Sequence, residues 1–155
     1  MANSLFNTPF ETMLRALLLM ESADRPMNKD EIAALDFIVI YGRSCGLLDS
    51  NLNGDNRFNF AEFARKRELV SEALCDAVKR NLVNVTNSEE GFLFGINERG
   101  HEAVAGIGSS YAERYRHAAT SVLTKLSRHS GLELLKLINL RANEAKENGY
   151  AELLD

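Results

Sequence analysis

The chain has 155 residues, 45% of them hydrophobic and 26% charged with both signs interspersed, and a formal net charge of −4 with a pI near 5.5. That length suits one domain of ordinary size, and the apolar content excludes a disordered chain. The acidic balance lacks the basic surplus that nucleic-acid binders use to neutralise phosphates, so any such contact requires a local patch or a basic partner.

Thr8 reads as an N-cap, with Pro9 at the first helical position and Glu11 three residues after the cap, so a first helix is predicted to about Ser22. Its apolar residues, from Phe10 through Met20, cover more than one face, which marks a helix buried on several sides. Asn28 with Glu31 forms a capping-box pattern ahead of a second helix from Ile32 to Tyr41, again apolar almost all round. The β-branched run Ile38-Val39-Ile40 suits a strand as well as a helix. Gly42, Gly46 and Gly54 mark an irregular stretch, with a polar turn cluster from Asp49 to Asn56.

A long helix is predicted from about Asn59 to Asn81, with Phe60, Phe63, Val70, Ala73, Leu74, Ala77 and Val78 at helical spacing. Two short strands follow, 82–85 and 92–96, joined by a turn over 87–91 into a hairpin with a glycine-bearing loop. Asn97 caps a short helix containing Gly100. Ser109 or Ser110 starts another, and a last helix spans roughly Leu132 to Glu147. The expected fold is mainly α with a small β-hairpin: one domain, with a winged-helix-like core over residues 9–97 and a C-terminal helical extension over 98–155. Fold order by itself does not fix function.

The sharpest local motif runs from Asn51 to Glu62. Asn51, Asn53 and Asp55 fall at the first, third and fifth positions of a calcium-binding loop, an apolar residue at the eighth and Glu62 at the twelfth. Asn51 replaces the usual Asp, and Asn56 stands where Gly makes the sharp turn. The same residues equally serve a capped turn leading into a helix. Arg57, Arg65, Lys66 and Arg67 form a candidate basic patch for DNA or a partner. Acidic residues at 62, 68, 72 and 76 share that segment, so ion pairing along a solvated helix face is the competing reading.

His101, His117 and His129 are scattered, and no phosphate loop, nucleophile elbow or zinc spacing occurs. No catalytic residue, metal or cofactor is therefore expected, and no small-molecule substrate. Cys75 reads as a small buried hydrophobe and Cys45 as an exposed thiol, both consistent with a reducing cytoplasm. No secretory leader is read at Met1–Pro9, and no apolar run is long enough to span a bilayer.

What remains is an excess of apolar surface on the first, second and last helices, which predicts docking against other proteins. The candidate interface comprises Phe6, Phe10, Leu14, Leu18, Tyr111, Tyr115, Leu135 and Ile138, with Arg114 and Arg116 adding interface-type chemistry.

The strings Ser4–Glu11, Ala34–Ile38, Gly54–Phe58, Arg67–Val70 and Tyr111–Arg116 resemble the middle component of ABC-three-component systems, the bacterial conflict operons that include the Lamassu antiphage systems. The resemblance spans about residues 4 to 143. It implies a small non-catalytic subunit joining an SMC-like ABC ATPase to an effector, often a nuclease, in a complex that senses foreign DNA. It transfers no catalytic residue to this chain. Two readings from the residues stand beside it: a dimeric winged-helix transcription regulator, with the apolar first and last helices pairing across a twofold axis, and a calcium-responsive module.

Overall fold

The structure, a computed structural model, describes residues 8–55 and 59–154, with side chains as far as residue 149. Thr8 accepts a hydrogen bond from the Glu11 amide (3.2 Å) and Pro9 occupies the first turn, so helix α1 spans Pro9–Ala23. It ends at Asp24, which takes the left-handed conformation (φ 52°). Asn28 and Glu31 form the reciprocal capping box of α2, Lys29–Ile40 (2.8 and 3.5 Å), so the run Ile38-Val39-Ile40 is helical. Between the two helices, Met27 exchanges both backbone hydrogen bonds with Phe94 (3.0 and 2.8 Å).

A single turn of 3-10 helix over Asn59–Glu62 leads into α3, Phe63–Lys79. The predicted helix over 59–81 is thus shorter at both ends. Asn81 stops it by adopting φ 57°, a conformation Asn tolerates, while the Leu82 amide reaches back to the Ala77 carbonyl (2.9 Å).

Strands β1, Val83–Ser88, and β2, Gly91–Ile96, pair antiparallel with Val83 opposite Ile96 and Ser88 opposite Gly91. The hairpin is longer and its turn tighter than predicted. Gly91 supplies a positive φ (92°) at the tip, and the Ser88 hydroxyl bonds both the Glu90 amide and the Gly91 carbonyl. Such local side-chain bonds close a turn that carries no conspicuous turn dipeptide.

Asn97 caps α4, Glu98–Ala105, and Ser109 caps α5, Ser110–Lys125. Helix α6 runs from Gly131 to Leu154, longer than predicted, and is about 36 Å in length. Ser130 and Glu133 form a second reciprocal cap at its start.

Helix α2 is the hub. It is buried from Glu31 to Ile40 and packs on α1, α3, α5 and α6. This overturns one expectation. The apolar circumference of α1 and α2 is absorbed by the chain's own interior, because helices from beyond residue 97 close over α2. Phe10 at the start of α1 stays exposed, and α6 is sheltered on one side: Leu134 and Ile138 are buried, Leu135 and Leu137 half-buried, Leu132 and Leu140 exposed. The cysteines also exchange roles. Cys45 is fully buried in the loop after α2, and Cys75 lies on the water-facing side of α3.

Gly100 sits where α4 crosses the hairpin base, and a methyl group there would strike the Leu82 carbonyl and the Ile96 side chain. Helix propensity favours Ala by roughly 0.5–1 kcal/mol, whereas overpacking against backbone costs about 1–3 kcal/mol. Gly100→Ala is therefore expected to destabilise the protein by about 1 kcal/mol or more in urea unfolding. The same substitution at Gly106, where nothing lies within 4 Å, is expected to cost nothing.

Candidate functional site

The most elaborate polar arrangement lies inside the molecule. Arg15 of α1 donates to both oxygens of Asp36 on α2 (Nε 3.1 Å, Nη2 3.4 Å), and the Tyr115 hydroxyl of α5 donates to Asp36 Oδ1 (2.7 Å). Arg15 and Asp36 are 3% and 2% exposed and Tyr115 is fully buried. Burial works against the Arg15 charge, but Asp36 and the neighbouring tyrosines outweigh it, so the guanidinium holds its proton more tightly than usual. Burial and the adjacent Asp36 carboxylate push the Tyr115 hydroxyl well above the ordinary tyrosine range.

Lys66 of α3 approaches the same centre. It is 4% exposed, with its ammonium 5.7 Å from the Tyr41 ring centroid. Burial lowers its pKa, opposed by Asp36 and reinforced by Arg15. The arrangement joins four helices.

The candidate basic patch is correspondingly dispersed. Lys66 is corrected from a surface cation to an interior one, because α3 turns it toward Tyr41 and Asp36. Arg65 pairs with Glu68 (3.2 Å) and Arg67 with Asp30 (2.9 Å), so ion pairing along and between helices takes both. Arg57 lies outside the described residues.

The side-chain oxygens of the predicted calcium loop accept from donors within the protein, and Asn51 Nδ2 itself donates to Asp55 (3.0 Å). Asn51 Oδ1 accepts from the Arg43 and Ser44 amides (3.0 and 3.2 Å), and Asn53 Oδ1 accepts from the Tyr111 hydroxyl (2.9 Å). Asp55 pairs with Arg43 (3.3 Å), and Glu62 accepts from the Tyr41 hydroxyl (3.4 Å). In this geometry the segment is a strap that ties the loop after α2 to α5. Asn56 lies outside the described residues.

The predicted partner interface divides. Tyr115, Leu18 and Ile138 are corrected to core positions: Tyr115 because Asp36 holds its hydroxyl, Leu18 because α1 faces the bundle there, Ile138 because α6 packs on α2. Leu14 and Tyr111 are half-buried and, with Leu18, line a groove of about 240 Å³ between the starts of α1 and α5. Phe10 is 57% exposed, Leu135 is half-buried on α6, and Phe6 lies outside the described residues. Arg116 of α5 is spent locally, bonding the Val104 and Ile107 carbonyls and pairing with Glu21 and Glu113.

The central ion pair escaped the sequence reading, although each member is a lone charge inside an apolar run: Arg15 between Met13 and Met20, Asp36 between Ile32 and Ile40. Two opposite charges so placed on consecutive buried helices are the signal that could have found it.

The described residues thus form a mainly helical protein with a projecting antiparallel hairpin. Among them, no group of three His, Cys, Asp or Glu residues could hold a metal ion, and no helix is long and apolar enough to cross a membrane. The sequence model of ABC-three component (ABC-3C) system Middle Component 2 matches residues 5–148, and the chain belongs to that family. Membership makes it one component of a multi-protein system. No curated protein and no solved structure matches the chain.

Removing one member of a buried ion pair leaves the other charge uncompensated, at about 3–5 kcal/mol. Asp36→Asn is expected to cost about that much in denaturant unfolding. The paired replacement Arg15→Met with Asp36→Leu is expected to recover most of the loss; equal losses in the single and double variants would show that the charge is not what matters.

Burial pushes the Cys45 thiol up to about 12, and burial followed by the Asp36 charge pushes Tyr111 to about 12, with Arg15 opposing. Folded values above the unfolded ones, about 8.5 for Cys and 10 for Tyr, mean full stability below pH 8 and progressive loss as pH rises from about 9 to 12. Thiol titration of the native protein at pH 8 is expected to count one group, Cys75, and two after denaturation. Cys45→Ala is expected to flatten the alkaline loss of stability.

Proposed function

We propose that this chain is a non-catalytic adaptor that joins an SMC-like ABC ATPase to an effector, a nuclease, within a cytoplasmic bacterial antiphage or antiplasmid complex of the Lamassu type. The observation that carries this reading is the family match over 5–148, since a middle component of a three-component system has two other components to meet.

The element order supports the same reading. Helix, helix, helix and hairpin follow one another over residues 9–96, with Met27 adding a bridge to β2. This is the order of a winged helix, and the family the chain resembles is similar to the winged-helix subunits that bind SMC ATPases.

Charge separates this adaptor from the alternative, a winged-helix regulator reading DNA with α3. The cations Arg65 and Arg67 are paired, Lys66 is interior, and Glu68, Glu72 and Asp76 share the helix, against exposed Lys79 and Arg80 at its far end. The hairpin tip, where a wing would meet phosphates, carries Glu89 and Glu90. Affinity for a phosphate backbone grows with the number of phosphates neutralised, and this face neutralises few.

Co-expression with the other two components of its own system is the test. The chain is expected to co-purify with the ATPase component through size exclusion at moderate salt. A chain that stays alone, or that by itself shifts a specific operator in a gel without the ATPase, would exclude the adaptor.

A further inference from the structure

We propose that the β-hairpin is a docking surface for a partner subunit that presents an apolar patch bordered by Lys or Arg; this rests on the adaptor reading above. Residues paired across an antiparallel ladder share one face of the sheet. The register therefore puts Val83, Val85 and Asn87 on the same face as Ile96, Phe94 and Phe92.

At the base this face belongs to the core: Val83 is 2% exposed, and Phe94 and Ile96 pack against the interior. Toward the tip the apolar row continues after the body stops. Val85 is 39% exposed and Phe92 62%. A lone exposed apolar side chain is ordinary, but these two are diagonal neighbours across the ladder and continuous with the core.

The tip is held in shape. Met27 bonds β2 on its outer side, Gly91 takes a left-handed turn, and Ser88 braces the turn with two hydrogen bonds. A surface ordered in advance loses little conformational freedom on binding.

Charge names the occupant. From Asn81 to Asn97 the only charged residues are Glu89 and Glu90, adjacent to Phe92 in the chain. An apolar ridge ending in two carboxylates complements an apolar patch with a cationic border and repels a phosphate backbone, while Glu90 also borders a recess that Arg25 and Arg128 line. The acidic balance of the whole chain also disfavours a second copy as that cationic partner.

The test uses the full chain with the other two components of its system. Association is measured for Phe92→Asp, for the pair Glu89→Lys with Glu90→Lys, and for Leu140→Asp, a comparably exposed apolar position on α6. Circular dichroism melts accompany each variant. Phe92→Asp is expected to weaken assembly at least tenfold. The charge reversal is expected to weaken it several-fold and to abolish its salt dependence, while Leu140→Asp stays within twofold.

Wild-type assembly with both hairpin variants unaffected would overturn the docking surface and leave the adaptor standing. Failure of the wild type to assemble would remove both. Loss with Phe92→Asp but not with charge reversal would overturn the cationic border. A hairpin effect seen only on self-association or on DNA binding would overturn the assigned occupant.

Discussion

The contact between Arg15 and Asp36 organises the molecule. Apolar helix faces can slide past one another at modest cost, since volume and pattern matter more there than exact position. A buried guanidinium and carboxylate cannot, because any displacement leaves a desolvated charge without its partner. Tyr115 adds a third helix to the same oxygen, and Lys66 brings a fourth helix within reach of the same field. The relative placement of α1, α2, α3 and α5 follows from satisfying one small polar centre in an apolar interior.

That centre makes α2 a core helix, and much else follows. Once α2 is enclosed on all sides, the apolar runs of α1 and α2 no longer argue for an external partner. The exposed apolar surface that could meet a partner lies instead at the periphery, at the hairpin tip. On α3, Arg65 and Arg67 are paired with Glu68 and Asp30. The loop after α2 is bound down by Asn51, Asn53 and Asp55. These are the traits of a rigid body that presents surfaces, which suits a middle component.

Within that body the hairpin is distinctive because its chemistry changes along its length without a change of face. Its base is core, its middle is boundary, and its tip is an aromatic side chain beside two carboxylates. The structural register and the paired carboxylates at the tip point the same way, and neither is visible in the other.

The helices, their caps and their order are legible in the residues alone. Thr8, Asn28, Asn97 and Ser109 each satisfy orphan amides at their own helix start, an interaction that spans three residues and needs no distant partner. The hairpin after the third helix is legible there too, although the tip tightened because Ser88, not a turn dipeptide, closes it. The family resemblance was likewise legible, in strings spread along nearly the whole chain. Which apolar residues are core and which are surface was set by how the helices pack on one another. Leu18, Tyr115 and Ile138 went inside, Cys45 and Cys75 traded places, and Lys66 left the surface. Each outcome depends on which face of a helix meets elements far along the chain, and helical period alone cannot say whether a second apolar face is covered by the chain itself or by another protein.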